Sequence, residues 1–337
     1  MFKKGNLSRL VILSVFTSLF SCSNQKPDEK QYTDVVIEAP IEEEAIYECP
    51  DYTKLGFQEL PLEGIKNQLD MDELALNNYN AAFKRLKEVN DSLPLIYKED
   101  TTFVVKQLNI TQNNWDNYFA SMHELKYPKT IEQSSINARC INSYKLQLIK
   151  QRLYELNIWL KGAPQGEICN GSVRVLDFSW SAIDRSKEKI KQKEFEESQK
   201  KDSTNYEATY QIPEFSKMGI IEKPIDGNQT QIEMNNDALD NYSDASKRLH
   251  VVLDSLHLIY KKDPAFIKRL DKTQKLWNTY SKSMHELRYP SSEMHASSDG
   301  LCENSYLSDM VKLRLYDLDD WLKGSKRRDD CNGSVRK

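Results

Sequence analysis

Along most of this chain, apolar residues recur at intervals of three, four and seven, the spacing of helices with one buried face. Leu76, Tyr79, Phe83, Leu86 and Leu93 define a first stripe, and Trp115, Tyr118, Met122 and Leu125 a second. Ile149, Leu153, Leu156 and Leu160 define a third. The same three stripes return later as Leu239, Tyr242, Leu249 and Leu256, then Trp277, Tyr280, Met284 and Leu287, then Val311, Leu315, Leu318 and Leu322. Punctuation agrees with these helices. Asp263-Pro264 is an N-cap followed by Pro at the first helical position, and Pro128 and Pro290 end the second helix of each set. Gly162 and Gly324 follow the third helices as left-handed C-caps. No stretch alternates with period two for long enough to require a sheet. The expected class is all-α.

The repeated stripes belong to a tandem duplication. WDNYFASMHELKYP (115–128) and WNTYSKSMHELRYP (277–290) agree at nine of fourteen positions, and residues 140–174 and 302–336 agree at 19 of 35. The offset is 162 through these segments and 163 upstream, where Pro50 to Gly56 answers Pro213 to Gly219. Two copies of a small three-helix domain are expected, at 47–174 and 208–337. A charged linker at 175–207 joins them, its core Ser186 to Asn205 rich in Lys, Glu and Ser.

The N-terminus departs from this pattern. Lys3, Lys4 and Arg9 precede the apolar run Leu10 to Phe20, eleven residues where about 20 are needed to span a bilayer. That is the anatomy of a secretory signal. Small Ser21 before Cys22 resembles the lipobox of bacterial lipoproteins, which implies a signal peptide at 1–21, lipidation of Cys22 and localisation in the cell envelope. Residues 22–46 are acidic, contain Pro and lack helical periodicity, as a solvated tether would.

An exported chain sits where disulfides persist. Cys140, Cys169, Cys302 and Cys331 fall at equivalent places, 29 residues apart in each copy. A duplicated domain that keeps its own staple would pair Cys140 with Cys169 and Cys302 with Cys331. That requires the tail to run nearly straight back along the third helix, and pairing across copies stays open. Cys49 answers Ile212, so the fold does not need a thiol there; it is a small buried hydrophobe or a link between two molecules in a dimer. No cysteine lies at structural zinc spacing.

The chain has 47 Lys and Arg against 51 Asp and Glu, which argues against a nucleic-acid partner. His123-Glu124 and His285-Glu286 lack the second His one turn later that a zinc protease needs; Tyr127 and Tyr289 stand there. No nucleophile elbow, Walker loop or dinucleotide fingerprint occurs. No cofactor, metal or catalytic residue is expected, and the chain reads as a binding protein rather than an enzyme. Arg152/Glu155 and Arg314/Asp317, three residues apart on the third helices, are expected ion pairs, or anchors for the first helix if the arginines are buried. Trp159 and Trp321 lie off the aliphatic stripe and either cover the tail or mark a binding face.

Three motifs carry a family resemblance. Leu76-Asn77-Asn78-Tyr79 is answered by Leu239-Asp240-Asn241-Tyr242. Gln112-Asn113-Asn114-Trp115 with Tyr118 is answered by Gln274-Lys275-Leu276-Trp277 with Tyr280. Cys140 with Arg152 and Leu156 is answered by Cys302 with Arg314 and Leu318. In this order the chain resembles the N-terminal domain of LprI-type lysozyme inhibitors. The Arg-Asp and following Cys of that family are replaced here by Phe119-Ala120 and Ser281-Lys282, and Cys169 and Cys331 would serve as replacement staples. The resemblance implies a helical envelope lipoprotein that binds a lysozyme and protects the wall. The alternatives are a binder of another envelope protein or glycan, and a scaffold without a soluble ligand. A lysozyme cleft works through two carboxylates, so the expected binding loops are Lys126-Tyr127-Pro128 and Arg288-Tyr289-Pro290, a cation beside a rigidified aromatic.

Overall fold

The computed structural model describes residues 50–98, 103–129, 137–164, 168–175, 206–290, 299–324 and 331–335. The signal peptide, Cys22, the tether, Cys49 and most of the linker lie outside the described residues.

Among the described residues six helices carry the fold. In the first half these are α1 (Gln68–Ile96), α2 (Val104–Lys126) and α3 (Asn137–Lys161). In the second they are α4 (Gln231–Ile259), α5 (Pro264–Arg288) and α6 (Asp299–Lys323). Local chemistry starts and stops them. Asn67 caps α1 by accepting from the Leu69 amide, and Thr230 with Glu233 forms a reciprocal capping box on α4. Asp263 caps α5 ahead of Pro264, as the sequence predicts. Gly162 and Gly324 end α3 and α6 with φ of 84° and 81°.

A strand before α1, β1 (Lys54–Gln58), pairs antiparallel with β2 (Glu207–Thr209), which leads into the second half. The start of one half therefore covers the other, and Tyr210 just beyond β2 stacks on Tyr154 of α3 at 4.8 Å.

The tertiary arrangement is an exchange. Within each half the first and third helices run side by side: Met71 meets Arg139 near the start of α1 and α3, and Tyr97 meets Trp159 near their ends. The middle helix leaves them. α2 packs chiefly against α5, its equivalent in the other half. The pair is antiparallel and self-complementary: Thr111 Oγ1 donates to the Ser283 carbonyl at 3.4 Å and Thr273 Oγ1 to the Ser121 carbonyl at 3.3 Å. Contacts that repeat with the halves interchanged are the signature of a two-fold interface, here inside one chain. Residues 51–337 accordingly form one compact unit.

The disulfides correct the expected pairing. Cys140 joins Cys331 and Cys169 joins Cys302, each with Cα atoms 5.0 Å apart. The reason is reach. The 21 residues from Cys140 to the end of α3 at Lys161 run ~31 Å along the axis. The eight steps from there to Cys169 extend at most ~28 Å. Even with the ~5–6 Å that a disulfide bridges, a staple within one half would close only on a tail pulled straight along α3; each tail instead turns and crosses to the other half.

The buried face of α1 also differs from the expected stripe. Ala75, Asn78, Ala82, Leu86, Val89 and Leu93 face inward, while Leu76 and Phe83 are exposed and Tyr79 is half-buried. Small Ala75 and Ala82 let α3 approach closely. Asn78 is held there by two hydrogen bonds to Leu60, accepting from its amide at 3.0 Å and donating to its carbonyl at 2.8 Å. Asn241 clamps Lys223 in the same way on α4.

A fragment of 206–337 alone would leave α5 without its packing partner. Since the α2–α5 contact is self-complementary, the fragment is expected to elute as a homodimer with Cys302–Cys331 disulfides between chains. A folded monomer by light scattering would contradict the exchange.

Candidate functional site

The residues that carry the sequence motifs meet at the crossing of α2 and α5, buried rather than displayed. Tyr118 and Tyr280 stack at 5.8 Å with rings inclined by only 8°. Arg152, fully buried, donates to Gln112 Oε1 on its own α2, and to the Tyr280 hydroxyl at 3.0 Å and Met284 Sδ at 3.2 Å on α5. Arg314 repeats this with Gln274, Tyr118 and Met122. The carboxylates close the network: Tyr280 donates to Glu155, and Tyr118 donates to Asp317 at 2.6 Å.

The expected ion pairs are thus only half realised, and among the described residues neither arginine hydrogen-bonds a first helix. Arg152 lies 3.4 Å from Glu155. The shorter Asp317 reaches only Tyr118, and Arg314 Nη2 is buried without a hydrogen-bond partner. Burial raises the pKa of Glu155 and pushes that of Asp317 up to about 6; it also raises both tyrosines. The arginines and the tyrosines of this network are buried, and their polar groups are turned toward one another.

The second cluster explains the repeated HEL-Lys/Arg-Tyr-Pro and Cys-Asn-Gly-Ser motifs together. The Ser172 amide donates to the Arg288 carbonyl at 2.8 Å, and the Ser334 amide to the Lys126 carbonyl at 2.7 Å. The Ser334 hydroxyl donates to the Leu125 carbonyl at 2.6 Å and accepts from Trp321 Nε1 at 2.9 Å. Tyr127 donates to the Cys331 carbonyl and Tyr289 to the Cys169 carbonyl. The last carbonyls of α2 and α5 lack helical partners; the turn of the opposite tail supplies donors. Gly171 and Gly333 make this approach possible. Each has positive φ, and a Cβ there would lie 2.1–2.2 Å from the Arg288 or Lys126 carbonyl oxygen.

The residues expected to bind a partner take part in this second cluster. Tyr127 is 2% exposed, Tyr289 7% and Arg288 5%, and Arg288 donates to the Cys169 carbonyl at 2.7 Å. Lys126 pairs with Asp320 at 2.8 Å and lies 4.7 Å above the Tyr144 ring. Trp159 and Trp321 are each 1% exposed, with Trp321 against the tail. These side chains are committed to contacts within the molecule. The asparagine clamps and the tail turns do not emerge from the sequence pattern, although Cys-Asn-Gly-Ser recurs once in each half and so carried a signal.

Elsewhere, a cleft of about 50 Å³ is lined by residues including Lys217, Arg248 and Asp319, well below the ~300 Å³ at which ligand pockets usually begin. Among the described residues no group of three or more His, Cys, Asp or Glu could hold a metal ion, and no helix is long and apolar enough to cross a membrane.

The site thus defines a class: an all-α protein whose two halves are locked together by exchanged helices, exchanged tails and two disulfides. Residues 224–318 match the family model described as lysozyme inhibitor LprI. This span runs from just before α4 into α6, and the resemblance read from the motifs holds for this half of the chain. No curated protein and no solved structure matches the chain.

Two predictions follow the geometry. Gly333→Ala forces a Cβ against the Lys126 carbonyl at a left-handed φ and should cost about 2–4 kcal/mol in urea unfolding, whereas Gly64→Ala, with nothing within 4 Å, should cost only the strain of its φ. For Asp317 the folded pKa lies above the ordinary carboxylate value, so the native state holds the proton more tightly. Its contribution opposes folding above pH 6 and disappears below pH 4. Asp317→Asn keeps an acceptor for Tyr118 and should remove a loss of stability, on the order of 2–3 kcal/mol, that develops between those pH values. An unchanged pH profile would refute this.

Proposed function

We propose that the chain is a cell-envelope lipoprotein that inhibits a lysozyme, with Cys22 as its lipid attachment and 22–46 as its tether. The observation that carries this reading is the LprI match over residues 224–318. The first half supports it, because the same Gln, Tyr, Arg and Cys positions build the same network there. A lysozyme would have to be met by an outer surface, since the Lys126-Tyr127 and Arg288-Tyr289 loops are spent on holding the tails.

The test is lysis of a bacterial wall suspension by a c-type lysozyme in the presence of residues 51–337. Dose-dependent inhibition is expected. The variant Lys126→Ala/Arg288→Ala should unfold at lower urea yet inhibit equally well when folded. No inhibition at large molar excess would reject the lysozyme reading and favour a scaffold or another envelope partner. A loss of inhibition in a fully stable double variant would return the loops to the binding surface.

A further inference from the structure

We propose that the outer flank of α1 is a self-association surface, on which a second molecule of this chain docks by antiparallel pairing of the two α1 helices. Leu69, Leu76 and Phe83 are exposed at 70%, 43% and 50%. Their seven-residue spacing keeps them along one side of a helix, as in a coiled-coil seam. Tyr79 adds to the strip by stacking on Phe83 at 6.0 Å. Leu76, Tyr79 and Phe83 form an apolar strip on the flank of α1, with Leu69 one heptad before Leu76.

Charge selects the occupant. On the same flank, Asp72 and Glu73 lie toward the start of α1 and Lys84 and Lys87 toward its end. None of the four forms an ion pair among the described residues, although Asp72 accepts a hydrogen bond from Gln68 at 2.7 Å. Asp91 lies beyond the two lysines, but the pair Asp72 and Lys87 is complementary to itself when the helix is reversed. With the two-fold axis between Tyr79 and Asn80, Leu76 meets Phe83 of the second molecule and Asp72 meets its Lys87. Each contact then occurs twice, as an isologous interface requires.

The second half supplies an internal control. At the equivalent positions α4 keeps Leu239 and Tyr242 but has Ser246 for Phe83, Asn235 and Asn236 for Asp72 and Glu73, and His250 for Lys87. The buried faces of the two helices match position by position, from Ala75 and Ala238 to Leu93 and Leu256. α4 also keeps Lys247 for Lys84 and an exposed Ile232 for Leu69, so the contrast rests on Phe83, Asp72, Glu73 and Lys87, which fold requirements do not account for. One helix pair covers less than the ~1,600 Å² of a standard interface, so the association should be reversible, with a dissociation constant on the order of tens of micromolar.

Residues 51–337, the compact unit with both disulfides, serve for the test. Sedimentation equilibrium should show a monomer–dimer exchange that weakens at least tenfold in Asp72→Lys and in Lys87→Asp. The double variant Asp72→Lys/Lys87→Asp should recover the wild-type constant, which a merely structural effect would not do. Under mild oxidation Asn80→Cys should give a covalent dimer, while Ser243→Cys, at the equivalent place on α4, stays monomeric. A monomer at every concentration up to about 0.5 mM would overturn the proposal. So would a double variant no tighter than the single ones, or equal cross-linking from both cysteine positions; a surface used only for a different protein would give the monomer result.

Discussion

The structure depends on satisfying the C-terminal carbonyls of two helices that end inside the molecule. α2 and α5 each finish beneath a tail that belongs to the opposite half, and the Ser172 and Ser334 amides reach the Arg288 and Lys126 carbonyls there. Buried backbone acceptors left without donors would each cost on the order of 1–3 kcal/mol. The exchange of tails removes that cost, and the Cys140–Cys331 and Cys169–Cys302 bonds hold the donors in place. Other features follow from it. The glycines cannot carry side chains, the Lys/Arg-Tyr pairs turn inward, and neither half is complete alone.

The buried centre has a different role. An arginine, a carboxylate, a glutamine and a tyrosine contribute little net stability when desolvated together, because the hydration they lose offsets what they gain. They do fix register. A shift of α2 along α5 would separate Tyr118 from Arg314 and Asp317, and Tyr280 from Arg152 and Glu155, leaving buried charges unpaired. This gives a physical reason for the Gln, Tyr and Arg positions of the LprI-like motif: they index one helix against another. The segment 224–318 that matches the family contains Gln274, Tyr280 and Arg314 but neither tail turn.

The two halves have diverged where the fold permits it. Glu155 reaches its arginine whereas Asp317 does not, so one side of the centre is more strained electrostatically than the other. Asn157 donates to the Tyr52 and Lys54 carbonyls and pins β1 to α3; Asp319 cannot donate, and a short 3₁₀ turn at Phe215–Met218 stands where β1 would be. The outer flank of α1 differs from that of α4 at Asp72, Glu73, Phe83 and Lys87, while their buried faces agree.

The sequence by itself determined the helices and their twofold recurrence. Spacings of three and four, the Asp263-Pro264 cap and the glycines after Lys161 and Lys323 depend on contacts within a few residues, and such contacts are written locally. It also placed the four cysteines and the Gln-Tyr-Arg positions in equivalent pairs. Which half each of them served was decided only by the tertiary structure. An identical pair of motifs satisfies a contact within a half and a contact between halves equally well in one dimension. The length of α3 against the reach of its tail, and the close approach through Ala75 and Ala82, are distances that exist only in three. For the same reason the Lys126-Tyr127 and Arg288-Tyr289 loops read as exposed. A cation and an aromatic at a helix end look alike whether solvent or the other tail lies beyond them.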